Sequence, residues 1–253
     1  MCIVALAWQV IDGMPLCLIS NRDEYYQRPT QALKAWDKSN IIAGQDLEQG
    51  GTWMGVTKTG RWAVITNFRD GQDQKHYPTS RGHLVSDFLQ SDLAPIRFAK
   101  FLEAKQCDYA GFNIFMGDQT QAVYMSNRGE APQVLAHGVY VVSNALMHEP
   151  WEKTRYLRKR FTQELLPLLQ QTEQSEIEDA VWDILQDQRK VPVDLLPNTG
   201  ISSQMEQLLS STFIESAHYG TRCCNFLTLK QQTWHWLEKD QTGKIVPIQQ
   251  VLT

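Results

Sequence analysis

The sequence predicts an α+β fold in which sheets are layered between helices. Strand-like and helical segments follow one another in blocks, in the order strands, helices, strands, helices, strands. The strand-like segments are short apolar runs bounded by turn residues, whereas the helical segments repeat apolar residues at the spacing of one helix face. The 253 residues are 42% hydrophobic and 21% charged, which is typical of a globular protein. Since no linker-like stretch interrupts the chain, we expect one domain over residues 1–253.

The N-terminal part predicts two hairpins followed by two helices. Each pair of apolar runs is joined by a turn, which is Asp12-Gly13 in the first hairpin and residues 58–60 in the second. The helices are predicted because Leu and Phe recur at roughly helical spacing. The predicted elements are strands 2–10 and 16–19, strands 53–57 and 61–68, and helices near 81–90 and 93–105.

The C-terminal part repeats this alternation. Short apolar segments predict strands, and two amphipathic segments predict helices. The region 189–203 has the weakest pattern of either kind. The predicted elements are strands 111–117, 121–126 and 139–144, helices 151–170 and 176–188, and strands 222–229, 233–238 and 245–248.

Charge and targeting features exclude several classes of protein. A formal net charge of -4 would repel a phosphate backbone, so we expect no nucleic-acid partner. No segment reaches the run of about 18 apolar residues that a membrane span needs. The first basic residue is Arg22, so no basic leader is recognisable and we expect a cytoplasmic protein. The five scattered cysteines predict thiols rather than a disulfide framework.

Cys2 is the first candidate for chemistry, because it follows the initiator Met1 directly. Removal of Met1 would leave a residue that carries both a thiol and an α-amine. An α-amine with a pKa of about 7.7–8.0 can accept the proton of a thiol with a pKa of about 8.5. Nucleophile and base would then belong to one residue. The alternative is a buried structural thiol in an apolar strand, and position alone leaves both open.

A charged tetrapeptide at residues 21–24, Asn-Arg-Asp-Glu, ends the strand that pairs with the Cys2 strand. The hairpin turn places this tetrapeptide near the N-terminus of the chain. There, Asp23 could orient the terminal amine, and Arg22 could favour the thiolate. The alternative is a solvated charged loop.

Several blocks along the chain together resemble the NRDE family, to which the transport and Golgi organisation proteins belong. The resemblance follows the chain in order from residue 2 to about residue 230, and more distantly the same blocks resemble the choloylglycine hydrolases and penicillin V acylases. The blocks are residues 1–3 (Met-Cys-Ile), 20–26 (Ser-Asn-Arg-Asp-Glu-Tyr-Tyr) with Arg28-Pro29, 50–56 (Gly-Gly-Thr-Trp-Met-Gly-Val), 65–69 (Ile-Thr-Asn-Phe-Arg), 143–146 (Ser-Asn-Ala-Leu) and 219–222 (Tyr-Gly-Thr-Arg).

The resemblance implies a four-layer αββα sandwich of N-terminal-nucleophile (Ntn) hydrolase type, with two stacked, mainly antiparallel sheets. It also implies roles for single residues: Cys2 as the nucleophile, Asp23 beside the terminal amine, and Asn67 in the oxyanion hole. Asn144 matches a second active-site asparagine, and Arg222 an arginine beside the thiol. The acylases carry an arginine a few residues before the aspartate, where this chain has Ser20.

Substrate contacts are expected from Asn21, Arg22 and Trp53, although Trp53 is also a candidate core residue. The vicinal Cys223-Cys224 pair predicts structural thiols, because neighbours on a strand point to opposite faces. The six histidines lack ligand spacing, so no metal site is expected. The basic stretch 153–160 predicts a solvated helix face, with a contact to anionic lipid or to a ligand carboxylate as the alternative.

Two functions of different class follow from the resemblance. The first is hydrolysis of a linear amide by Cys2, with no cofactor required and the substrate unnamed. The second is non-catalytic handling of a haem or lipid ligand inside the cell, because NRDE proteins are linked to haem trafficking and lipid homeostasis. A secretory-pathway scaffold ranks third. The sequence leaves the oligomeric state open.

Overall fold

The centre of the molecule is formed by β-strands that alternate with blocks of helices. The computed structural model describes residues 2–149, 151–171 and 174–253. In chain order, the strands are β1 (Cys2–Ile11), β2 (Met14–Tyr25), β3 (Thr30–Ala35), β4 (Ile41–Asp46), β5 (Met54–Thr57), β6 (Trp62–Asn67), β7 (Phe112–Gly117), β8 (Ala122–Ser126), β9 (Gln133–Val134), β10 (Gly138–Val142), β11 (Tyr219–Lys230), β12 (Thr233–Asp240) and β13 (Ile245–Val251). The helices are α1 (Gly82–Gln90), α2 (Pro95–Glu103), α3 (Glu152–Arg160), α4 (Leu166–Gln171), α5 (Gln174–Leu185) and α6 (Ser203–Leu208).

The strands form two antiparallel sheets. In the part of the chain that is described, the first sheet has the order β10-β1-β2-β11-β12-β13 and the second has the order β3-β4-β5-β6-β7-β8-β9. In the first sheet, β2 lies between β1 and β11 and pairs Arg22 with Cys2 on one side and Asp23 with Thr221 on the other. The N-terminal end of β1 and the charged end of β2 are therefore neighbours, as the predicted hairpin requires.

Helices cover the outer faces of both sheets. α1 packs on β5 and β6 and α2 packs on β8, whereas α3 contacts β1 and β10 and α5 contacts β2 and β11. The layer order is therefore helices, sheet, sheet, helices. The prediction of an αββα sandwich with two stacked antiparallel sheets is confirmed.

The alternation of side chains along β1 shows why both faces of the first sheet are buried. Val4 and Leu6 pack in the core between the sheets, whereas Ile3 and Ala5 pack against the helices on the other side. All four are fully buried. A strand that is buried on both faces is apolar at consecutive positions, which explains the uninterrupted apolar run at the start of the sequence.

The two predicted hairpins, the helices α1 and α2 and the closing strands are confirmed, and the differences occur where polar residues form strands. β2 continues through the tetrapeptide to Tyr25, beyond the predicted strand 16–19. β3, β4, β9 and α6 were not predicted. β3 buries a single apolar side chain, Leu33, so its sequence carries almost no strand pattern.

The long helix predicted at 151–170 is divided by a π-helical segment. α3 ends at Arg160, and the π-helical turn Phe161–Leu165 leads into α4. Phe161 and Leu165 are both fully buried against the first sheet. Among the described helices, none combines the length and the apolar character that crossing a bilayer requires.

Candidate active site

The candidate nucleophile Cys2 lies at the mouth of the space between the sheets. It is the first residue of β1 and is 9% exposed, and it lines a small pocket of about 100 Å³. Its backbone carbonyl accepts a hydrogen bond of 3.1 Å from Ser143 Oγ. Burial raises the pKa of the Cys2 thiol, while a hydrogen bond from the Asp23 backbone N–H and the charge of Arg22 act in the opposite direction. The thiol is therefore protonated at neutral pH.

Arg22 and Trp53 form the side of the pocket next to Cys2. Arg22 lies directly across from Cys2 in the β1–β2 pairing and is 5% exposed. Its guanidinium carbon lies 4.1 Å from the centroid of the Trp53 ring, and Nη1 donates to Thr30 Oγ1 at 3.1 Å. This cation–π contact fixes the guanidinium beside the thiol. The structure thus places both residues in the pocket where substrate contacts were expected.

Asp23 lies in the pocket lining as well, and its carboxylate is deeply buried. Thr221 Oγ1 donates a hydrogen bond of 2.7 Å to Asp23 Oδ1 across the β2–β11 pairing. Burial raises the pKa of Asp23, and the charge of Lys153 and the Thr221 hydrogen bond oppose this rise. Asp23 belongs to β2 but lies beside the first residue of β1. A buried carboxylate there is suited to binding a cationic group at the start of β1.

The two predicted asparagines play different structural parts. Asn67 ends β6 and lines the pocket, and its carboxamide makes no hydrogen bond within the described residues. Asn144 is fully buried, and its Nδ2 donates to the Asn67 backbone carbonyl at 2.8 Å. Asn144 Oδ1 accepts hydrogen bonds from Ser143 and Arg69. Asn144 therefore holds the strand end that carries Asn67, whereas Asn67 keeps its amide donors for a ligand.

Besides the buried Asn144, two further expected site residues lie outside the pocket. Asn21 points to the helical side of β2, where its Nδ2 donates to the backbone carbonyls of Leu185 and Thr212 at 2.7 and 2.8 Å. It is 1% exposed, so its amide ties α5 and the 209–214 loop to the sheet. The expectation that Asn21 contacts substrate is corrected accordingly, because consecutive strand residues face opposite layers.

Arg222 is the second residue that the structure places elsewhere. It occupies a β-bulge, because Thr221 pairs with Asp23 and Cys223 with Arg22, which leaves Arg222 between the two pairs. Its Nη1 donates to the backbone carbonyls of Tyr25, Tyr26 and Arg28 at 2.8 to 3.0 Å. Arg222 thus holds the loop after β2. The arginine beside the thiol is Arg22.

Arg81 lines the same pocket and was not predicted. It precedes α1, is half-buried, and donates from Nη1 to the Gly111 carbonyl at 2.9 Å. The close packing of Gly51 on Gly82 brings this turn to the pocket, since a Cβ on Gly51 would lie 2.4 Å from the Gly82 carbonyl carbon. In the sequence, the glycines of block 50–56 were the feature that could have indicated this close approach of the two backbones. The described residues that line the pocket are Cys2, Arg22, Asp23, Glu24, Arg28, Asp46, Thr52, Trp53, Ile65, Asn67, Ser80, Arg81 and Gly82.

A second polar cluster lies behind β1, on the helical side. Lys153, in the first turn of α3, is 4% exposed and donates to the Leu209 carbonyl at 3.0 Å. Burial lowers the pKa of Lys153 to about 8, although the charge of Asp23 acts to raise it. Arg69 forms an ion pair of 2.5 Å with Glu206 in the same layer. These buried charges surround Asp23 from the side opposite the pocket.

The described residues contain no group of three or more His, Cys, Asp or Glu side chains arranged to hold a metal ion. The vicinal thiols behave as the alternation predicts: Cys223 packs between the sheets, and Cys224 packs against the helices. Burial raises the pKa of both thiols. Met1, whose removal the mechanism requires, lies outside the described residues.

A comparison of the whole sequence with known families shows which family this chain belongs to. The family model described as "Transport and Golgi organisation 2" matches residues 1–242. The chain belongs to the Transport and Golgi organisation 2 family. The prediction from the motif blocks of an NRDE-type, transport and Golgi organisation protein is thereby confirmed.

The chain is similar to proteins of mammals and of an insect. The Transport and Golgi organization 2 homolog of Mus musculus is 32% identical over 225 residues, covering 84% of this chain and 79% of the mouse protein. The human homolog is 36% identical over 156 residues, covering 58% of this chain and 56% of the human protein. Transport and Golgi organization protein 2 of Drosophila melanogaster is 24% identical over 253 residues, covering 91% and 88%.

Solved structures with a similar chain path include two hydrolases. A variant of the conjugated bile acid hydrolase from Clostridium perfringens aligns with a TM-score of 0.49 and 8% identity, covering 97% of this chain and 96% of that chain. An N-acylethanolamine-hydrolyzing acid amidase ortholog from Caenorhabditis elegans aligns with a TM-score of 0.44 and 12% identity, covering 83% and 98%.

Proposed function

We propose that this chain is a cytoplasmic Ntn-type hydrolase that cleaves a linear amide with Cys2 as its nucleophile. One observation carries the proposal: Cys2, Asp23 and Asn67, from three different strand ends, line one pocket. A thiol, a carboxylate and a carboxamide that makes no hydrogen bond to another described residue are groups suited to acyl transfer. Arg22 completes the set by lying directly beside the thiol.

In the proposed reaction, Cys2 Sγ attacks the acyl carbon of the amide, and the α-amine of Cys2 takes the thiol proton. The amine then gives this proton to the leaving nitrogen as the C–N bond breaks, which leaves a thioester on Cys2. Water attacks the thioester carbon while the α-amine removes a proton from it, the C–S bond then breaks to release the carboxylic acid, and the α-ammonium returns its proton to the Cys2 thiolate. No cofactor is required.

The raised pKa of the thiol determines how this chemistry would start. Because burial keeps the Cys2 thiol protonated at rest, the base has to remove the proton as the nucleophile attacks. An α-amine with a pKa of about 7.7–8.0 suits this task at neutral pH. Asp23, buried at the beginning of β1, would orient the amine, and Asn67 Nδ2 would donate to the oxyanion.

The decisive experiment measures the intact mass of the protein purified from its native cell, followed by alkylation with iodoacetamide and peptide mapping. We expect a mass that lacks Met1 and a Cys2 that reacts faster than the buried Cys17, Cys223 and Cys224. A panel of chromogenic acyl amides then provides the turnover assay, and Cys2→Ala abolishes turnover of every accepted amide. Cys17→Ala is the matched control, because Cys17 is also a buried thiol but faces the helices.

Two results would contradict the hydrolase. Full turnover by Cys2→Ala would show that another group is the nucleophile. Full turnover by a protein that retains Met1 would exclude the α-amine of Cys2 as the base.

A second candidate function is the binding and transfer of a lipid or haem ligand without catalysis. A cavity of about 520 Å³ lined by residues of α4, α5 and the first sheet favours it, because this cavity is larger than the Cys2 pocket of about 100 Å³. Its lining includes the apolar side chains of Met14, Ile177 and Phe226. Desolvation and nearby Lys230 lower the pKa of His235 at its rim, which keeps the imidazole neutral, as ligation of an iron would require.

A titration with haem tests this second function. We expect a shift of the Soret band at micromolar protein that disappears in His235→Ala and persists in His137→Ala, whose imidazole is exposed on the loop before β10. A Soret band that does not shift in the wild-type protein would remove haem as a ligand of this chain.

A further inference from the structure

The charges that line the Cys2 pocket are unequally neutralised. Arg28 forms ion pairs with the acidic side chains at the rim of the pocket. Its Nη2 lies 2.7 Å from Asp46 Oδ2, its Nη1 lies 3.1 Å from Glu48 Oε1, and its Nε lies 4.0 Å from Glu24 Oε2. Three carboxylates thus converge on one guanidinium. Asp23, the remaining acid of the lining, is held from the helical side by Thr221.

The other two arginines of the lining have no such partner. Among the described residues, no carboxylate oxygen lies within 4.0 Å of a guanidinium nitrogen of Arg22 or Arg81. Glu238 contributes a negative charge near Arg22 from between the sheets without reaching ion-pair distance, and its Oε1 accepts a hydrogen bond of 2.8 Å from the Leu33 N–H. Arg22 is 5% exposed, so its charge has little access to water. An incompletely neutralised cation in a narrow pocket attracts an anion.

The positions of both guanidinium groups are fixed before any ligand binds. Arg22 is stacked on Trp53, and Arg81 is anchored on the Gly111 carbonyl. The backbone next to Arg81 is also fixed, because Thr52 N–H donates to the Gly82 carbonyl at 3.1 Å. A prepositioned guanidinium loses little entropy when it binds, and its planar set of donors matches a carboxylate or a phosphate.

We propose that the Cys2 pocket takes a small acyl amide that carries an anionic group, and that Arg81, supported by Arg22, binds the anion. The amide part rests on the proposed hydrolase, whereas the anion site does not. The pocket, of about 100 Å³, accommodates a small anionic group such as a carboxylate.

The test compares alkylation by iodoacetate, which is an anion, with alkylation by iodoacetamide, which is its neutral counterpart. For each reagent the rate at Cys2 is divided by the rate at Cys107, an exposed thiol in the same protein. We expect iodoacetate to be favoured at Cys2 by about tenfold relative to Cys107, because the guanidinium groups concentrate the anion. Arg81→Gln removes most of this preference, and Arg81→Lys retains it in part.

The control is Arg97→Gln, which removes an exposed cation on α2 and leaves the preference unchanged. Equal reagent preference at Cys2 and Cys107 in the wild-type protein would overturn the proposal. An undiminished preference in a folded Arg81→Gln variant would also overturn it.

Calorimetry gives a second measurement that does not depend on the reactivity of Cys2. N-acetylglycinate should bind at least tenfold more tightly than the neutral N-acetylglycinamide, and Arg81→Gln should remove the difference. Equal binding of the two compounds contradicts the anion site. Hydrolysis of neutral amides with no charge preference would leave the hydrolase standing and this proposal refuted. A preference for the charged compounds without turnover of any amide would support the anion site and contradict the hydrolase proposal.

Discussion

Two asparagines that belong to neighbouring strand ends differ in what their carboxamides contact. Asn67 faces the pocket without a described hydrogen-bond partner, whereas Asn144 is fully buried and bonded to Asn67, Ser143 and Arg69. The family resemblance implied an active-site role for both of them. Their burial separates a residue that is available to a ligand from one that supports it.

Substitution of each asparagine by Ala should therefore affect different properties. We expect Asn67→Ala to lower turnover by about 10²–10³ while the free energy of unfolding changes by less than about 0.5 kcal/mol. Asn144→Ala should lower the free energy of unfolding by about 1–3 kcal/mol, because buried polar partners lose their hydrogen bonds. Urea unfolding measures the free energy of unfolding of each variant, and turnover of an accepted amide measures its activity. An Asn67→Ala variant with wild-type turnover would remove this residue from the mechanism.

Lys153 should make stability depend on pH in the alkaline range. Burial lowers its pKa from 10.5 to about 8 in the folded protein, so between these values the unfolded chain binds more protons than the folded one. Stability attributable to this residue therefore rises with pH from about 8 to 10.5. We expect wild-type protein to gain about 2–3 kcal/mol relative to Lys153→Met across this range, measured by urea unfolding at several pH values. Parallel pH profiles of the two proteins would contradict a buried, charged Lys153.

The turn before α1 illustrates how an element positions a site residue. Gly51 packs on the backbone of Gly82, and this contact brings Arg81 to the pocket. The glycine pair at residues 50–51 was recognised only as part of a family block. Nothing in the local sequence of α1 indicates that its first turn faces Cys2, since the contact is made by backbone atoms of a distant segment.

A side chain at this contact should destabilise the protein. In Gly51→Ala the new Cβ would lie 2.4 Å from the Gly82 carbonyl carbon, so one of the two segments has to move. We expect a loss of about 1–3 kcal/mol in the free energy of unfolding, measured by urea denaturation. Gly138→Ala is the matched control, because its Cβ would have its nearest contact at 3.5 Å. Similar losses in the two variants would show that the close packing is not the cause.

At the scale of the whole molecule, the first sheet is buried on both faces. Leu18 lies in the core between the sheets, and its neighbour Ile19 lies in the core under α3–α5. Both are at most 1% exposed. The same arrangement explains why Asn21 and Arg22, which are adjacent in sequence, point to opposite faces of the sheet.

Consecutive core substitutions test this layered arrangement. We expect Leu18→Ala and Ile19→Ala each to lower the free energy of unfolding by about 2–5 kcal/mol, because each leaves a cavity in a separate core. In a protein with a single covered face, one of the two would change stability by less than about 0.5 kcal/mol. Urea unfolding of both variants distinguishes the cases, and one near-neutral variant would contradict the four layers.

The sequence by itself determined the family, the order of the main strands and helices, and the pairing of the Cys2 strand with the charged strand. These follow from local periodicity, turn residues and motif blocks that lie within short segments. Tertiary structure alone decided which side chains meet at the pocket. Arg81 arrives from a turn about 80 residues from Cys2, and a single-residue bulge turns Arg222 away to the loop after β2. Local patterns do not encode such approaches, because they depend on sheet register and on how closely two backbones pack.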